Sequence, residues 1–247
     1  MGFYEEIGRY YDYIFPVGES QLSFIEDSLK GRGISVLDVA CGSGGYSVEL
    51  AKMGYSVTAV DMEIEMINKL LEKAQKEKLD IKAYQADMRR LALVVDKKFD
   101  VLFCIGNSIV HLNNMDEISD VLKQMHGLLE QNGALVLQII NYDRIIESGI
   151  SELPPIINEE EGLEFVRKYK YLKEDNIIDF NTSLILKNGD STAVYNNSIK
   201  LFPILKEEFE TALRKAGFDT LYTYGDFKHS PYTKDSYMLV IKAIKTK

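Results

Sequence analysis

The chain passes from an apolar run into a glycine loop at Val36-Leu37-Asp38-Val39-Ala40-Cys41-Gly42-Ser43-Gly44-Gly45. The apolar residues predict a buried strand, and the periodic residues beyond the loop predict a helix. Small side chains let the backbone of such a loop approach a ligand closely, and the helix points its positive N-terminal end at that ligand. Two glycines alone are a weak signal, because a tight turn needs them equally. The surrounding sequence has to decide what the loop does.

Short apolar runs alternate with helical patterns on both sides of this loop. Nearly continuous apolar runs are typical of parallel strands that are covered on both faces. The predicted strands are residues 35–39, 56–60, 80–84, 99–103 and 134–138. Two helices are predicted from apolar residues at helical spacing, the first at Ile67, Leu70, Leu71 and Ala74, the second at Ile118, Val121, Leu122, Met125 and Leu129. We expect the second helix to stop at Asn132-Gly133. Strands joined by helical crossovers predict an α/β fold with a Rossmann-like, doubly wound parallel sheet.

The pattern changes after Leu153-Pro154-Pro155, which interrupts any helix. Three antiparallel strands are predicted beyond it, at residues 164–172, 177–187 and 191–202. Asn188-Gly189, between the last two, is a strong hairpin signal. Three short strands are too few for an independent domain, so we interpret residues 150–203 as a lid on the main sheet. A helix at 207–216 and strands at 218–224 and 236–244 follow. With a helical cap at 1–30, residues 1–247 are predicted to form one domain.

The composition disfavours several classes of protein. Lys and Arg number 29 and Asp and Glu 38, so the net charge is −9. An acidic surface repels phosphate backbones, which makes nucleic acid a poor first choice of partner. With two cysteines and three histidines, neither a disulfide scaffold nor a metal site is predicted. The first residues have no signal-peptide pattern, and no apolar run is long enough to span a membrane. We expect a soluble, cytoplasmic protein whose oligomeric state the sequence leaves open.

A carboxylate follows the second predicted strand. Asp61 lies about twenty residues beyond the glycines, where it can accept hydrogen bonds from both ribose hydroxyls of a nucleoside. Ser47 stands where a dinucleotide site has its third glycine, and Asp38 lies at the mouth of the loop. A carboxylate there disfavours a phosphate and attracts a cation, although it can also bind loop amides. The combination favours S-adenosylmethionine, which carries a sulfonium and an ammonium but no phosphate.

Two more loops follow predicted strands. Asp87 and Met88 come after the third strand, where Asp87 can accept a hydrogen bond from an adenine amine and Met88 can cover the ring. The alternative is that Asp87 caps the short helix after it and Met88 belongs to the core. Cys104-Ile105-Gly106-Asn107-Ser108 comes after the fourth strand. Ligands sit beyond the carboxyl ends of parallel strands, so this stretch borders the predicted reacting centre.

At these positions the sequence resembles the class I S-adenosylmethionine-dependent methyltransferases. The motifs that carry the resemblance are Asp38-x-x-x-Gly42-x-Gly44, Asp61 and Asp87-Met88. The resemblance covers nearly the whole chain and implies a seven-stranded sheet that the last two strands close as an antiparallel hairpin. It also implies S-adenosyl-L-methionine as cofactor and S-adenosyl-L-homocysteine as product.

Within that class, residues 104–112 and Asn141-Tyr142-Asp143 resemble the glycine and sarcosine N-methyltransferases. The resemblance implies that Ile105 lies near the cofactor through its backbone. It further implies that His111 lies at the methionine end of the cofactor and that Asn107 faces the amine substrate.

One position departs from that pattern. Ile140 stands where the glycine enzymes have an arginine that holds the acceptor carboxylate. Glycine is therefore not the predicted acceptor, unless Arg9 or Arg144 supplies the charge from elsewhere.

The predicted reaction is in-line methyl transfer to a small molecule, with an amine nitrogen as the favoured acceptor atom. Two alternatives stay open, namely an oxygen or carbon acceptor, and a protein that binds the cofactor without turnover. His111 is expected to position the cofactor, the alternative being a general base for the amine. The candidate catalytic residues are Asn107, His111 and Tyr142. The candidate cofactor-binding residues are Tyr11, Asp38, Ala40, Gly42, Ser43, Gly44, Asp61, Met62, Asp87, Met88, Ile105 and His111.

Overall fold

The computed structural model describes residues 7–189 and 191–246, so the start of the predicted cap at 1–30 lies outside the described residues. The helices are α1 Tyr11–Ile14, α2 Glu19–Leu29, α3 Gly45–Lys52, α4 Ile64–Glu77, α5 Leu91–Val94, α6 Met115–Gly127, α7 Tyr142–Glu147 and α8 Lys206–Lys215. Short 3-10 turns occur at Gly8–Tyr10, Met88–Arg90 and Ser108–His111. The strands are β1 Ser35–Val39, β2 Ser56–Asp61, β3 Lys82–Gln85, β4 Phe99–Cys104, β5 Leu129–Ile140, β6 Glu152–Asn158, β7 Leu163–Leu172, β8 Ile177–Asn188, β9 Ser191–Leu201, β10 Thr220–Tyr224 and β11 Met238–Ile244.

Seven of these strands form the main sheet, in the order β10-β11-β5-β4-β1-β2-β3. The strands β1 to β5 run parallel, whereas β11 runs antiparallel to both β5 and β10. This arrangement confirms the predicted doubly wound α/β sheet and its closing hairpin. The chain runs from β1 through β2 to β3 at one edge and then crosses back to β4 on the other side of β1, so the direction of winding reverses between β1 and β4. The carboxyl ends of these two strands therefore open a crevice, the usual ligand position in such sheets.

Helices cover both faces of the sheet. Successive residues of a strand point to opposite faces, so each strand contributes side chains to two cores. Val36 packs into a core with Phe24 of α2 and Leu70 of α4. Leu37 and Val39 pack into the opposite core, which contains the apolar faces of α6 and α8. All three β1 residues are fully buried. That double burial explains why the run before the glycine loop is nearly all apolar.

The second predicted helix is too long. Helix α6 ends at Gly127, and Leu129 instead begins β5, where it pairs with Phe99. Asn132 adopts a φ of 63° inside β5, where the pairing with β4 shifts register. An apolar residue fits a helix or a strand equally, so the periodicity up to Leu129 could not locate this boundary.

One predicted inward position in α4 is also wrong. Leu71 is 42% exposed, and Met66 takes its place on the buried face. The buried side chains of α4 are Met66, Ile67, Leu70 and Ala74. Leu71 is rotated about 100° beyond Leu70, which turns it towards solvent.

The predicted lid is an antiparallel sheet of four strands, in the order β6-β7-β8-β9. The β8–β9 hairpin closes with Asn188 opposite Ser191, as Asn188-Gly189 predicts, and Asp190 in its turn lies outside the described residues. The strand that the sequence did not predict is β6, which contains Pro154-Pro155. Proline cannot donate to a strand ladder, so it is tolerated here at the sheet edge, where the pairing with β7 is irregular.

The antiparallel sheet and the N-terminal segment both pack near the crevice. Ile14 of α1 packs with Phe165 of β7. Tyr169 of β7 belongs to the same core as Tyr142, which follows β5. The backbone N–H of Phe202 donates to the carbonyl of Val110 at 2.8 Å, which ties the end of β9 to the loop after β4. Among the described residues, no helix is long and apolar enough to cross a membrane.

Candidate active site

The glycine loop after β1 is built from left-handed backbone conformations. The φ angles are 58° at Ala40, 55° at Gly42 and 76° at Gly44. A Cβ on Gly42 would lie 2.5 Å from the Tyr11 phenol oxygen, and one on Gly44 would lie 2.3 Å from Leu70 Cδ1. Both glycines are therefore required by conformation and by contact. Ala40 carries a side chain in the same region, which costs roughly 1–2 kcal/mol of backbone strain next to the loop.

Asp61 joins this loop to the end of β2. Its carboxylate accepts hydrogen bonds from the backbone N–H of Gly42 at 2.8 Å and of Glu63 at 2.9 Å. Burial raises the pKa of Asp61 above its usual value. Met62, the next residue, is 55% exposed at the same edge of the sheet. The carboxylate is thus held in place by backbone donors from two neighbouring loops.

Asp38 lies beneath the loop, since it is 3% exposed. Its carboxylate accepts a hydrogen bond from the Ser47 hydroxyl at 2.7 Å. Burial raises the pKa of Asp38 to about 7, and the charge of Asp61 adds to the effect. The serine at the third glycine position of the motif therefore serves as the partner of this carboxylate.

The N-terminal segment contacts the loop through two residues. The Ser43 hydroxyl donates to the Asp12 carboxylate, which also pairs with the Lys73 ammonium at 2.7 Å. Lys73 also donates to the Ser43 carbonyl at 3.1 Å. The ring of Tyr11 contacts Gly42 directly. Sequence reasoning missed Asp12 and Lys73, because separate charged residues give no sign that they will meet across the fold.

An aromatic series continues from this contact to the antiparallel sheet. The ring centroids of Tyr11 and Phe15 are 5.1 Å apart, and those of Phe15 and Phe165 are 5.8 Å apart. Phe165 lies on β7 and is buried. The cap, the glycine loop and the antiparallel sheet therefore meet along one edge of the crevice.

Asp87, in the loop after β3, is bound by the nearby Arg89. Asp87 accepts from the backbone N–H of Arg89 at 2.9 Å and pairs with the Arg89 guanidinium, which holds the pKa of Asp87 below its usual value. Asp87 therefore caps the short helix after it, which is the alternative role that the sequence offered for this residue. Met88 is half-buried and packs against the main core.

The loop after β4 brings Asn107 and Tyr142 together. Asn107 adopts a φ of 68°, and its side-chain amide donates to the Tyr142 hydroxyl at 2.9 Å. Its carbonyl oxygen accepts from the Ile140 backbone N–H at 3.0 Å. Tyr142 is fully buried, and that burial raises the pKa of its phenol, which stays protonated. Two predicted catalytic residues that are distant in sequence are therefore hydrogen-bonded.

His111 ends the 3-10 turn after this loop. Its side chain is exposed to solvent, yet the protein around it lowers its pKa by desolvation. Both observations fit a side chain on the wall of an open crevice, where the imidazole is neutral at pH 7. Ile105, at the start of the same loop, is half-buried.

A family model described as a methyltransferase domain matches residues 36–133 of this chain. A glycine/sarcosine N-methyltransferase of Halorhodospira halochloris is 31% identical over 211 residues, which cover 85% of this chain and 75% of that protein. Another, from Aphanothece halophytica, is 28% identical over 222 residues, covering 87% of this chain and 78% of that protein. The crystal structure of a S-adenosylmethionine-dependent methyltransferase from Clostridium acetobutylicum superposes with a TM-score of 0.83 at 17% identity, and each chain is covered to 100%.

The sheet order, the glycine loop after β1 and the carboxylate at the end of β2 are typical of Rossmann-like folds that bind nucleosides. With the sequence similarity, the chain belongs to the class I S-adenosylmethionine-dependent methyltransferase family. The site fits that cofactor: the left-handed glycine at Gly42 leaves no room for a side chain, and Asp61 offers a fixed acceptor for hydroxyl groups. Among the described residues, no group of three or more His, Cys, Asp and Glu side chains could hold a metal ion.

Proposed function

We propose that this S-adenosylmethionine-dependent methyltransferase methylates an amine nitrogen of a small molecule. The observation that carries the proposal is the hydrogen-bonded pair of Asn107 and Tyr142 at the carboxyl end of β4. The Asn107 carbonyl oxygen has two lone pairs, and it accepts from the Ile140 N–H at 3.0 Å and, in a longer contact of 3.4 Å, from the Tyr142 hydroxyl. An amine N–H can replace this long contact from the Tyr142 hydroxyl and leave the nitrogen lone pair directed elsewhere. The relatives named glycine/sarcosine N-methyltransferases support a nitrogen acceptor.

The residues around the first three strands would hold the cofactor. Asp61 would accept from the ribose hydroxyls, and the backbone of Gly42 and its neighbours Ala40, Ser43 and Gly44 would line the methionine portion. Asp87, Met88 and Ile105 would surround the adenine, with Met62 at the edge of the site. Asp38 would favour the cationic end from beneath the loop. Tyr11 would offer its aromatic ring to the sulfonium.

When it is bound, S-adenosylmethionine supplies an electrophilic methyl group on a sulfonium. The chain then has to bind the amine unprotonated and align its lone pair with the methyl carbon. Such alignment can lower a barrier by roughly 7–11 kcal/mol. His111, which is neutral at pH 7, can take the proton that an ammonium must lose, or it can hold the methionine end of the cofactor. The neutral phenol of Tyr142 keeps Asn107 in place, and the antiparallel sheet limits access of water.

The experiment is an incubation with methyl-labelled S-adenosylmethionine and a defined pool of small amines, alcohols and phenols. Mass spectrometry then identifies the atom that carries the label. Label on nitrogen supports the proposal. Label on oxygen or carbon rejects the acceptor, and no labelled product in any fraction rejects turnover in favour of a cofactor-binding protein. A reaction without the pool serves as the control for hydrolysis and self-methylation.

A further inference from the structure

An arginine lies on the inner face of the antiparallel sheet. Alternate residues of a strand share a face, and Leu163, Phe165 and Tyr169 of β7 are all buried against the rest of the protein. Arg167 shares that face, between Phe165 and Tyr169. The neighbouring Lys168 points the other way and is exposed. Arg167 is therefore the basic residue of β7 that is directed towards the body of the protein.

The guanidinium of Arg167 is incompletely satisfied. One terminal nitrogen donates to the Pro154 carbonyl at 2.7 Å. The Nε–H is buried and has no hydrogen-bond acceptor among the described residues. Buried polar groups are normally paired, so an unpaired one on an arginine requires an explanation. The side chain as a whole is partly exposed, which leaves it accessible from one side.

The charge of Arg167 is also unpaired within the described part of the chain. Two carboxylates of the same sheet pair with other cations, Glu152 with Lys168 and Glu164 with Lys187. Tyr169 is close enough to interact electrostatically with the guanidinium. Burial nevertheless raises the pKa of the Tyr169 phenol, so the phenol stays neutral. An anion from outside the chain would therefore find an uncompensated positive charge here.

The position of Arg167 connects the two halves of the candidate site. On one side, Phe165 is linked through Phe15 and Tyr11 to the glycine loop. On the other side, Tyr169 packs into the same core as Tyr142, the partner of Asn107. Arg167 thus stands on β7 between a residue that is linked to the glycine loop and a residue that packs into the core of Tyr142.

We propose that Arg167 binds a carboxylate of the methyl acceptor, so that the substrates are amines that carry a carboxylate group. The Nε–H and an adjacent terminal N–H form the planar fork that matches the two oxygens of a carboxylate. A single arginine beside neutral phenols suits a singly charged carboxylate better than a doubly charged phosphate. The assignment rests on the proposed function, because it places this group next to the amine that Asn107 would hold.

The kinetic test compares matched acceptors with and without the negative charge. Glycine, sarcosine and β-alanine are each assayed beside their carboxamides, with wild-type enzyme and the variants Arg167→Gln, Arg167→Lys and Lys168→Gln. We expect the wild type to prefer the acids by tenfold or more in kcat/KM. Arg167→Gln should lose that preference, mainly through a roughly ten- to hundredfold rise in KM, and Arg167→Lys should recover part of it. Lys168→Gln, one residue away on the outer face, should retain it.

A binding measurement makes the proposal testable without turnover. N,N-dimethylglycine and its carboxamide are titrated into each protein loaded with S-adenosyl-L-homocysteine, and thermal unfolding confirms that the variants are folded. We expect saturable binding of the acid that weakens tenfold or more in Arg167→Gln and is unchanged in Lys168→Gln. Equal binding of acid and amide, equal binding by Arg167→Gln, or no saturable binding to the wild type would overturn the proposal. Arg167-dependent binding without methylation of any nitrogen would leave this site standing and reject the proposed function.

Discussion

Asn107 combines an unusual backbone conformation with three side-chain hydrogen bonds. Its φ of 68° is one that asparagine and glycine tolerate better than other residues. The Asn107→Gly variant therefore removes the carboxamide while it preserves the conformation of the turn. We expect kcat to fall by at least about tenfold, because the proposed acceptor for the amine is lost and the buried Tyr142 hydroxyl loses its partner. The calorimetric Kd for S-adenosylmethionine should change little.

Asn132→Gly is the matched control for this substitution. Asn132 also has a positive φ, of 63°, but it is exposed in β5, away from the crevice. Its replacement should leave kcat unchanged. Equal losses of turnover and of cofactor affinity in Asn107→Gly would assign Asn107 to the cofactor instead.

Asp38 makes the stability of the protein depend on pH. Its pKa is about 7 in the folded chain and near 4 in an unfolded chain. Between these values the folded state holds a proton that the unfolded state has released. The free energy of unfolding should therefore fall as pH rises from about 4 to 7, with a contribution of at most about 1.4 kcal/mol per pH unit. Urea unfolding of the cofactor-free protein across this range measures the effect.

Two variants separate Asp38 from the other titrating groups. Asp38→Asn should flatten the pH dependence, because the variant side chain does not titrate. Ser47→Ala removes the hydrogen bond that opposes the rise in pKa, so its loss of stability should extend to higher pH. Identical pH profiles for wild type and Asp38→Asn would show that Asp38 is not the group responsible.

The glycine loop is the element on which the N-terminal segment docks. In Gly42→Ala, the new Cβ would lie 2.5 Å from the Tyr11 phenol oxygen at a residue whose φ is 55°. We expect both backbone strain and displacement of Tyr11, with a loss of roughly 2–4 kcal/mol in the free energy of unfolding. Gly54→Ala is the control, since Gly54 has a φ of 91° but open space around it. That variant should lose only about 1–2 kcal/mol, for backbone strain alone.

The functional readout for this element is the Kd for S-adenosylmethionine. Gly42→Ala should weaken binding, and Gly54→Ala should leave it unchanged, because Gly54 lies beyond α3. Similar destabilisation of the two variants would mean that the contact between Tyr11 and the loop does not constrain Gly42.

At the scale of the whole molecule, a ligand that binds only the folded chain raises its stability. Cofactor at a hundred times its Kd should add about 2.7 kcal/mol, which corresponds to a rise in Tm of roughly 5–10 °C for a chain of this size. S-adenosyl-L-methionine should produce this shift in a thermal unfolding scan. NAD, whose anionic pyrophosphate would lie near the Asp38 carboxylate, should not.

Asp61→Asn tests the proposed ribose contact in the same scan. The loss of a charge-assisted hydrogen bond should weaken cofactor binding by roughly ten- to a hundredfold and so remove at least about half of the stabilisation. Asp80→Asn, at an exposed position before β3, is the control and should show the full shift. A full shift in Asp61→Asn would mean that the ribose lies elsewhere.

Much of the two sheets could be predicted because their signals are local. Val36, Leu37 and Val39 are apolar since they are buried on both faces, and Asn188-Gly189 suits the tight turn between β8 and β9. The strand β6 was missed because Pro154-Pro155 opposes a strand everywhere except at an irregular edge. The end of α6 was missed because Leu129 is buried in β5 as it would be in a helix.

The sequence alone determined the order of strands and helices in the main sheet, the glycine loop, and the carboxylates Asp38 within β1, Asp61 at the end of β2 and Asp87 after β3. These depend on spacing along the chain, and parallel strands bring their carboxyl ends to one edge whatever the side chains between them. Only the tertiary structure decided which distant residues meet: Asn107 with Tyr142, Asp12 with Lys73, and Arg167 with the Pro154 carbonyl. Such pairings depend on how the cap and the antiparallel sheet pack on the main sheet. That packing is the sum of many weak contacts, which leave no local pattern in the sequence.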